Sequence, residues 1–234
     1  MKHTQAKHIG IVGCSSEGAA LCYRTICLEA ASEMGAYFHP EVSLHNHPLG
    51  EYMPHVNAGQ WDGVAKLLLS SAHKLASAGA QLLICPDNTV HQAFSQVESR
   101  SPLPWLHIAV EVAREARAHG YRRLAILGTR SLMESTVYAD ALAGSDVEHC
   151  LPSPEERSEV DAIIFQELVA GKLSAQSRRR VSEIIARLAN EQQCDALVLG
   201  CTELPLLIAW DGAPVPVLDS TRLLARAALR EALA

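Results

Sequence analysis

This sequence of 234 residues lacks a block of basic residues and any long apolar run. Its 20 basic and 26 acidic residues give a net charge of −6, and the densest basic run is Arg178-Arg179-Arg180. That run falls in a helical pattern, so we interpret it as a solvated helix face and expect no nucleic-acid partner. The polar segment 1–8 and the short apolar run 9–12 fit neither a signal peptide nor a membrane span. We therefore expect a cytoplasmic protein that does not bind membranes.

The cysteines lack the Cys-x-x-Cys spacing of a structural zinc site, so no metal is expected. An odd number of cysteines in a chain without a secretory signal indicates free thiols rather than a disulfide framework. The segment 14–18 follows a predicted strand but lacks the glycines and the lysine of a P-loop and the full Gly-x-Gly-x-x-Gly pattern. A nucleotide is therefore not expected there. The seven cysteines are Cys14, Cys22, Cys27, Cys85, Cys150, Cys194 and Cys201.

Short apolar runs alternate with stretches of helical period along the whole chain. This alternation is typical of an α/β fold with parallel sheets. The run 196–200 is apolar throughout, as expected for a strand that helices cover on both faces. The predicted strands are 8–13, 37–44, 81–85, 105–108, 123–128, 147–150, 196–200 and 215–218, and four clear helical patterns are 64–78, 111–119, 155–170 and 175–190.

The predicted strands repeat at a nearly constant offset. The strand 8–13 precedes 123–128 by 115 residues, the strand 81–85 precedes 196–200 by 115, and 105–108 precedes 215–218 by 110. This indicates two similar α/β units that arose by duplication. Ligands of open parallel sheets bind at the carboxyl ends of strands. The loops of interest therefore follow Gly13, Cys85, Gly128 and Gly200.

Two of these loops carry groups that can exchange protons. Cys201 follows a strand and enters a short helical pattern, where backbone N–H groups favour a thiolate, and Thr202 and Glu203 are its polar neighbours. A buried structural cysteine is the alternative. Asp87 begins the segment Asp87-Asn88-Thr89, whose residue types also fit a turn or a helix cap. The 114 residues between Asp87 and Cys201 match the strand offset and favour a functional role for both.

These residues also resemble a known family. The segment 197–207, which includes Gly-Cys-Thr-Glu-Leu-Pro, is similar to the second cysteine signature of aspartate/glutamate racemases. The segment 88–91 is similar to the end of their first signature, 10–23 to their opening strand, loop and helix, and 127–138 to the start of their second half. The resemblance covers nearly the whole chain.

The resemblance implies two pseudo-symmetric α/β lobes with the active site in the cleft between them, commonly in a homodimer. We expect one lobe to comprise residues 1–105 with 212–234 and the other to comprise 106–211. The implied reaction is proton exchange at Cα of a small amino acid, with one acid/base group on each face. No lysine lies in a recognisable pyridoxal-phosphate context, so we expect no cofactor.

The sequence departs from the family pattern at two places. Asp87 stands where the family usually has its first cysteine, and Cys85 lies two positions earlier. We therefore predict that Asp87 and Cys201 form the acid/base pair, with Cys85 as the competing candidate. The segment 46–51 resembles the family's substrate loop, but the arginine expected nearby for a distal carboxylate is missing. We expect the substrate to depend little on a second carboxylate, with Lys172 as the alternative cation.

Further residues are expected to line the amino-acid pocket. Two other functions stay open: a one-thiol lyase that decarboxylates malonate-type acids, and an amino-acid-binding protein without catalysis. The expected pocket residues are Cys14, Ser15, Asn46, Asn88, Thr89, His91, Thr129, Thr202 and Glu203.

Overall fold

The computed structural model describes residues 6–208 and 212–234. The chain forms two compact units, one of Met1–Glu111 with Thr221–Ala234 and one of Val112–Ser220. Across the described ranges, no helix has both the length and the apolarity needed to cross a membrane.

The first unit is built on a parallel sheet of four strands in the order β2-β1-β3-β4. Its strands are β1 (Ile9–Gly13), β2 (Val42–Asn46), β3 (Leu82–Ile84) and β4 (Trp105–Leu106). The helices of this part of the chain are α1 (Ser16–Glu29), α2 (Ala31–Met34), α3 (Leu49–Asn57), α4 (Trp61–Ser77) and α5 (Phe94–Glu98), with a 3₁₀ turn at Thr89–Ala93.

The second unit repeats this arrangement with a parallel sheet in the order β6-β5-β7-β8. Its strands are β5 (Arg123–Leu127), β6 (Glu148–Cys150), β7 (Ala196–Leu199) and β8 (Val217–Asp219). The remaining helices are α6 (Ile108–Ala118), α7 (Arg130–Met133), α8 (Val137–Leu142), α9 (Pro154–Gln166), α10 (Ala175–Glu191), α11 (Leu204–Leu207) and α12 (Ser220–Leu233), with a 3₁₀ turn at Leu168–Ala170.

The predicted α/β fold with two similar halves is confirmed by this topology. Each sheet places its first strand between the second and the third, and both sheets are parallel throughout. The first register partner of β1 on β3 is Leu82, and the first register partner of β5 on β7 is Ala196. These two positions lie 114 residues apart (196 − 82), as do Asp87 and Cys201 (201 − 87). Asp87 and Cys201 therefore follow equivalent strands at equivalent distances.

Helices cover both faces of the first sheet, which explains its wholly apolar inner strands. Val12 and Leu83 point into a core shared with α4, whereas Ile11 and Ile84 point into a core shared with α1 and α12. Alternate residues of a strand face opposite sides. Cys85 continues this alternation and lies in the α4 core.

Side-chain caps define where the helices begin. Ser15 accepts a hydrogen bond from the Gly18 N–H at 3.1 Å and so starts α1. Ser153 and Glu156 form a reciprocal capping box at the start of α9, with Pro154 at the first helical position. The Ser15 hydroxyl, predicted to line the amino-acid pocket, therefore accepts a structural hydrogen bond.

Three expectations differ from the structure. The second strand runs over Val42–Asn46 rather than 37–44, because Tyr37 has a φ of +71° within a turn. Residues 106–111 belong to the first unit, and residues 212–220 belong to the second, where β8 pairs with β7. The expectation that all cysteines are free thiols is wrong for Cys150 and Cys194, which form a disulfide. They are 44 residues apart, and only the fold brings them together, because β6 and β7 both flank β5.

Candidate active site

Three predicted site residues lie at or just after the carboxyl ends of strands in the first sheet. They are Cys14 after β1, Asn46 at the end of β2, and Asp87 after β3. Gly13 and Asn46 are register partners at the ends of β1 and β2. A Cβ atom on Gly13 would lie 2.0 Å from the Asn46 Oδ1 atom, so a side chain at this position would require Asn46 to move. The Asn46 side chain therefore covers the end of β1, and its Nδ2 atom donates to the His47 carbonyl at 2.8 Å.

Asp87 lies in the loop after β3 with a half-buried side chain. Its Oδ1 atom accepts a hydrogen bond from the Val90 N–H at 3.3 Å, at the start of the 3₁₀ turn. The Asp87 carbonyl accepts a second hydrogen bond, from His91 Nδ1, at 2.7 Å. Asn88 is buried and Thr89 half-buried, so the three polar residues of this segment lie together at the strand end.

His91 fixes the backbone of this loop. Its Nε2 atom accepts from the Ile108 N–H at 3.3 Å while its Nδ1 atom donates to Asp87. Its ring stacks on Phe94 and meets His107 edge to face. Burial, with the nearby His107, holds the pKa of His91 well below the usual value, so the ring is neutral. Because both ring nitrogens contact backbone, the structure gives His91 a positioning role.

Cys85 lies in the apolar core, unlike Asp87. Its side chain is 1% exposed and packs with Val12, Leu83 and Tyr52. Burial raises the pKa of the Cys85 thiol well above the usual range, and the nearby Asp87 charge raises it further. A thiol that keeps its proton is a poor base. The Cys85 thiol is therefore held in its protonated form in the apolar core.

The carboxyl edge of the second sheet carries Cys201. A Cβ atom on Gly200 would lie 2.7 Å from Leu132 Cδ2 and 3.0 Å from the Leu127 carbonyl oxygen. A Cβ atom on Gly128 would meet Leu132 at 2.8 Å. The two glycines therefore let β5 and β7 end side by side with α7 packed against them, immediately before the Cys201 loop.

Cys201, Thr202 and Glu203 form a buried hydrogen-bonded group. The Cys201 thiol donates to Glu203 Oε2 at 3.0 Å, and the Thr202 hydroxyl donates to the same oxygen at 2.7 Å. The three residues are 8%, 4% and 6% exposed. The following helix, α11, is a single turn. The thiol therefore donates to a carboxylate and precedes a helix of only one turn.

Two other predicted residues of this unit, Thr129 and Lys172, lie in different surroundings from each other. Thr129 caps α7, since its Oγ1 atom accepts from the Leu132 N–H at 3.2 Å. Lys172 lies exposed on the loop that follows Gly171, and its own N–H donates to the Glu167 carbonyl at 2.9 Å. Thr129 thus lies at the sheet edge and Lys172 on the surface.

A family model described as Asp/Glu/Hydantoin racemase matches residues 11–228 of this chain. The chain belongs to this family. Its first curated relative is the broad specificity amino-acid racemase RacX of Bacillus subtilis (strain 168), 23% identical over 175 residues, which are 74% of each chain. The family resemblance predicted from the sequence is therefore confirmed, and the family supports amino-acid racemase activity.

Two further relatives agree with this assignment. The crystal structure of an aspartate racemase homologue from Pyrococcus horikoshii OT3 is 31% identical and covers 97% of this chain and 100% of that chain, with a TM-score of 0.82. A glutamate racemase of Syntrophus aciditrophicus (strain SB) is 32% identical over 158 residues, 63% of this chain and 55% of the relative. The chain thus spans about half the length of that glutamate racemase.

The racemase fold also places polar residues that motif analysis missed. Asp219, at the carboxyl end of β8, and Ser220 are buried, and Ser220 donates to the Leu199 carbonyl at 2.8 Å. Tyr138 lies 3.8 Å from the position of a Cβ atom on Gly200, and burial raises its pKa. The rule that ligands bind at the carboxyl ends of strands, applied to β8, would have found Asp219.

In the first unit the missed residue is Tyr52. It lies just after the segment 46–51, where the family's arginine is missing. The side chain is completely buried among Cys14, Cys85 and neighbouring apolar residues. Burial raises the pKa of its hydroxyl, and the nearby Cys14, Cys85 and Asp87 raise it further.

Proposed function

We propose that this protein racemises a small amino acid without a cofactor, with Asp87 and Cys201 as its two acid/base groups. The observation that carries the proposal is their equivalence: each follows the third strand of its unit, and they are separated by the repeat offset of 114 residues. Family membership supports the reaction class. The exchange of a proton at Cα with inversion needs one acid/base group for each face of the carbanion.

On one face, Cys201 acts with Glu203. The Glu203 carboxylate takes the thiol proton along the existing 3.0 Å hydrogen bond, and the resulting thiolate removes the α-proton of one enantiomer. The Thr202 hydroxyl, which donates to the same Glu203 oxygen, holds that carboxylate against the thiol. In the opposite direction, Cys201 donates its proton to the carbanion.

On the other face, Asp87 exchanges the second proton. When Cys201 abstracts the α-proton, the Asp87 carboxylic acid returns a proton to the opposite face. When Asp87 abstracts, the Cys201 thiol returns one. Each turnover therefore breaks one C–H bond, forms another, and moves one proton between Asp87 and the Cys201–Glu203 pair.

The carbanion intermediate needs hydrogen-bond donors around the substrate carboxylate, because no pyridoxal phosphate delocalises its charge. We assign this role to Asn88, Thr89 and Thr129, because the single hydroxyl proton of Thr202 is already donated to Glu203. We expect Cys14, Ser15 and Asn46 to contact the amino acid, and His91 to act by holding the Asp87 backbone. We further propose a homodimer, by analogy with the family.

The substrate is proposed to be a small amino acid that does not require a second carboxylate. The loop after β2 leads into α3 with Glu51, Tyr52 and Met53, none of which is a cation. The relative from Bacillus subtilis is named as a broad specificity racemase, which is consistent with a tolerant side-chain pocket.

The test is incubation of the protein in deuterated water with single enantiomers of a panel of amino acids and with aryl- and alkylmalonates. Appearance of the opposite enantiomer with deuterium at Cα supports the proposal. Loss of carbon dioxide from a malonate, without racemisation of any amino acid, would establish the one-thiol lyase. Saturable binding of an amino acid without exchange would establish a non-catalytic binding protein.

A further inference from the structure

The peptide group between Leu199 and Gly200 is hydrogen-bonded at both its oxygen and its nitrogen. The Leu199 carbonyl accepts from the Ser220 hydroxyl at 2.8 Å, and the Gly200 N–H donates to the Leu127 carbonyl at 2.7 Å. All of these residues belong to the second unit. Cys201 is the next residue along the chain, so this planar peptide fixes the point from which the chain turns toward the thiol.

Gly200 cannot fix the direction of the thiol by itself. A Cβ atom at this position would lie 2.7 Å from Leu132 Cδ2 and 3.0 Å from the Leu127 carbonyl oxygen, so a side chain here would force its neighbours apart. Glycine also populates a wider range of backbone dihedral angles than any other residue. The constraint on the residue before Cys201 must therefore come from the groups around its peptide.

Ser220 supplies one of these groups at the point where the sheet ends. The register of β7 with β8 ends at the pair Leu199 and Asp219, and α12 begins at the following residue, Ser220. The side-chain hydroxyl of Ser220 then provides a donor to the Leu199 carbonyl beyond the last register pair. Ser220 is 0% exposed, so water does not compete for this hydrogen bond.

Tyr138, on α8, holds the Ser220 hydroxyl in turn. Its buried side chain is hydrogen-bonded to Ser220, and its Cε2 atom lies 3.8 Å from the position of a Cβ atom on Gly200. A serine hydroxyl has one proton, which Ser220 donates to Leu199. The Tyr138 hydroxyl is therefore the donor to Ser220, and the hydrogen bonds run in one direction, from Tyr138 through Ser220 to the Leu199 carbonyl.

We propose that Ser220 and Tyr138 are positioning residues, which hold the peptide before Cys201 so that the thiol faces Glu203. The inference rests on the proposed function for its catalytic consequence, because Glu203 takes the thiol proton along their 3.0 Å hydrogen bond. A hydrogen bond weakens steeply as its angle departs from linearity. A small rotation at Gly200 would therefore break the contact between the thiol and the carboxylate while the unit stays folded.

Isotope effects distinguish positioning of the thiol from a general loss of folded protein. We expect Ser220→Ala to lower kcat/KM by roughly 10- to 100-fold, as a misplaced reacting group does. Proton transfer at Cys201 then limits the rate more strongly than transfer at Asp87. With α-deuterated substrates, the isotope effect on kcat/KM should rise for the enantiomer that Cys201 deprotonates and fall for the other. A smaller folded fraction would leave KM and both isotope effects unchanged, and that result would overturn the proposal.

The thiol also gives a readout that needs no substrate. A hydrogen bond to a carboxylate lowers the S–H stretching frequency, and the infrared band of Cys201 is assigned as the difference between wild type and Cys201→Ala. In Ser220→Ala this band should move to higher frequency. Tyr138→Phe keeps the ring beside Gly200 and removes only the hydroxyl, so it should move the band in the same direction and remain folded. An unchanged band in both variants would overturn the proposal.

A second buried serine of the same unit provides the matched control. Ser177 is 5% exposed, and its hydroxyl donates to Glu167 at 2.8 Å, on elements other than those that hold Cys201. Ser177→Ala should lose stability, measured by its melting temperature, and keep the wild-type Cys201 band and isotope effects. A band that moves equally in Ser177→Ala and Ser220→Ala would report general loosening and would overturn the positioning role.

The positioning role and the proposed function can fail separately. If the wild type racemises amino acids and the Cys201 band is the same in Ser220→Ala, the positioning role alone is wrong. If the band moves in Ser220→Ala and the wild type exchanges no α-proton of any amino acid tested, Ser220 does orient the thiol and the racemase proposal is wrong.

Discussion

The thiol of Cys201 donates a hydrogen bond to the carboxylate of Glu203 across 3.0 Å, and both side chains are buried. The Thr202 hydroxyl donates to the same carboxylate oxygen. A buried acceptor of fixed orientation gives the thiol proton a destination without solvent. In the proposed reaction, the sulfur reacts with the substrate and the carboxylate holds the sulfur's proton.

The variant Glu203→Gln tests whether Glu203 accepts the proton of the Cys201 thiol. Glutamine keeps an oxygen for the Thr202 and Cys201 hydrogen bonds but cannot take a proton, so turnover at pH 7 should fall by roughly 10²-fold. Because the thiol must then ionise on its own, activity of the variant should rise with pH toward an ordinary thiol value of about 8.5. The pH–rate profile of kcat/KM measures both effects. A Glu203→Gln enzyme with wild-type rate at pH 7 would show that Glu203 is only structural.

Alkylation tests the role of Cys201 itself. Iodoacetamide should abolish activity in step with modification of Cys201, and a bound substrate should protect that residue. Cys27 is half-buried on α1 and serves as the control, because burial raises the pKa of its thiol and it lies outside the candidate site. Peptide mass spectrometry against residual activity gives the correlation. Full activity in Cys201→Ala, or inactivation that persists unchanged in that variant, would contradict the assignment.

Much of the fold could be predicted because it depends on local pattern. Apolar runs such as 196–200 mark strands with helices on both faces, and their constant offset shows the duplication. The second strand was placed too early because Tyr37 has a positive φ, which no residue preference of tyrosine indicates. The assignment of residues 212–220 to the first lobe was wrong because the pairing of β8 with β7 is a tertiary contact.

Within the candidate site, the sequence likewise predicts residues that are placed by local pattern and misses those that are placed by tertiary contacts. Asp87 and Cys201 lie directly after strands, so the rule for parallel sheets finds them. The contact between Ser71 and His45 joins residues 26 apart on α4 and β2, and the disulfide joins Cys150 and Cys194 across β5. Neither leaves a pattern in the sequence, because each depends on how a helix or strand packs against another.

His91 should make stability depend on pH. Burial and the nearby His107 lower its pKa in the folded state, so below about 6.5 the unfolded chain binds a proton that the folded chain does not. Stability is therefore lost as the pH falls below 6.5, by up to about 1.4 kcal/mol per pH unit from this residue. His91→Gln keeps a donor and an acceptor but does not titrate, so its stability should fall less between pH 6.5 and 5.5. Urea unfolding measures the difference, with the surface variant His119→Gln as control; equal pH dependence in wild type and His91→Gln would contradict the prediction.

Substrate preference should not require a second carboxylate. The helix α3 carries no cation at Glu51, Tyr52 or Met53, so neutral amino acids should be racemised with kcat/KM values at least equal to those for aspartate and glutamate. Circular dichroism or chiral chromatography over a panel of amino acids measures the order. A strict preference for aspartate or glutamate would refute the prediction. Loss of that preference in Lys172→Met would then identify the exposed lysine as the missing cation.

Asp87, rather than Cys85, should be the acid/base group of the first unit. Its carboxylate accepts from the Val90 N–H and so also caps the following turn, and a lost cap costs only about 1 kcal/mol of stability. Asp87→Asn keeps an oxygen for this cap and removes the base, so the fold should persist while turnover falls by roughly 10²–10⁴-fold. Cys85 is 1% exposed and burial raises the pKa of its thiol, so Cys85→Ala should keep turnover and lose some stability from the small cavity.

Kinetics and urea unfolding of the two variants, measured side by side, decide between the residues. The reverse outcome, in which Asp87→Asn turns over normally and Cys85→Ala is folded but inactive, would transfer the role to Cys85. Normal turnover in both variants would end the two-base mechanism for this protein. The thiol of Cys201 would then be the single proton donor, which is the arrangement that a lyase needs, and the malonate panel becomes the deciding measurement.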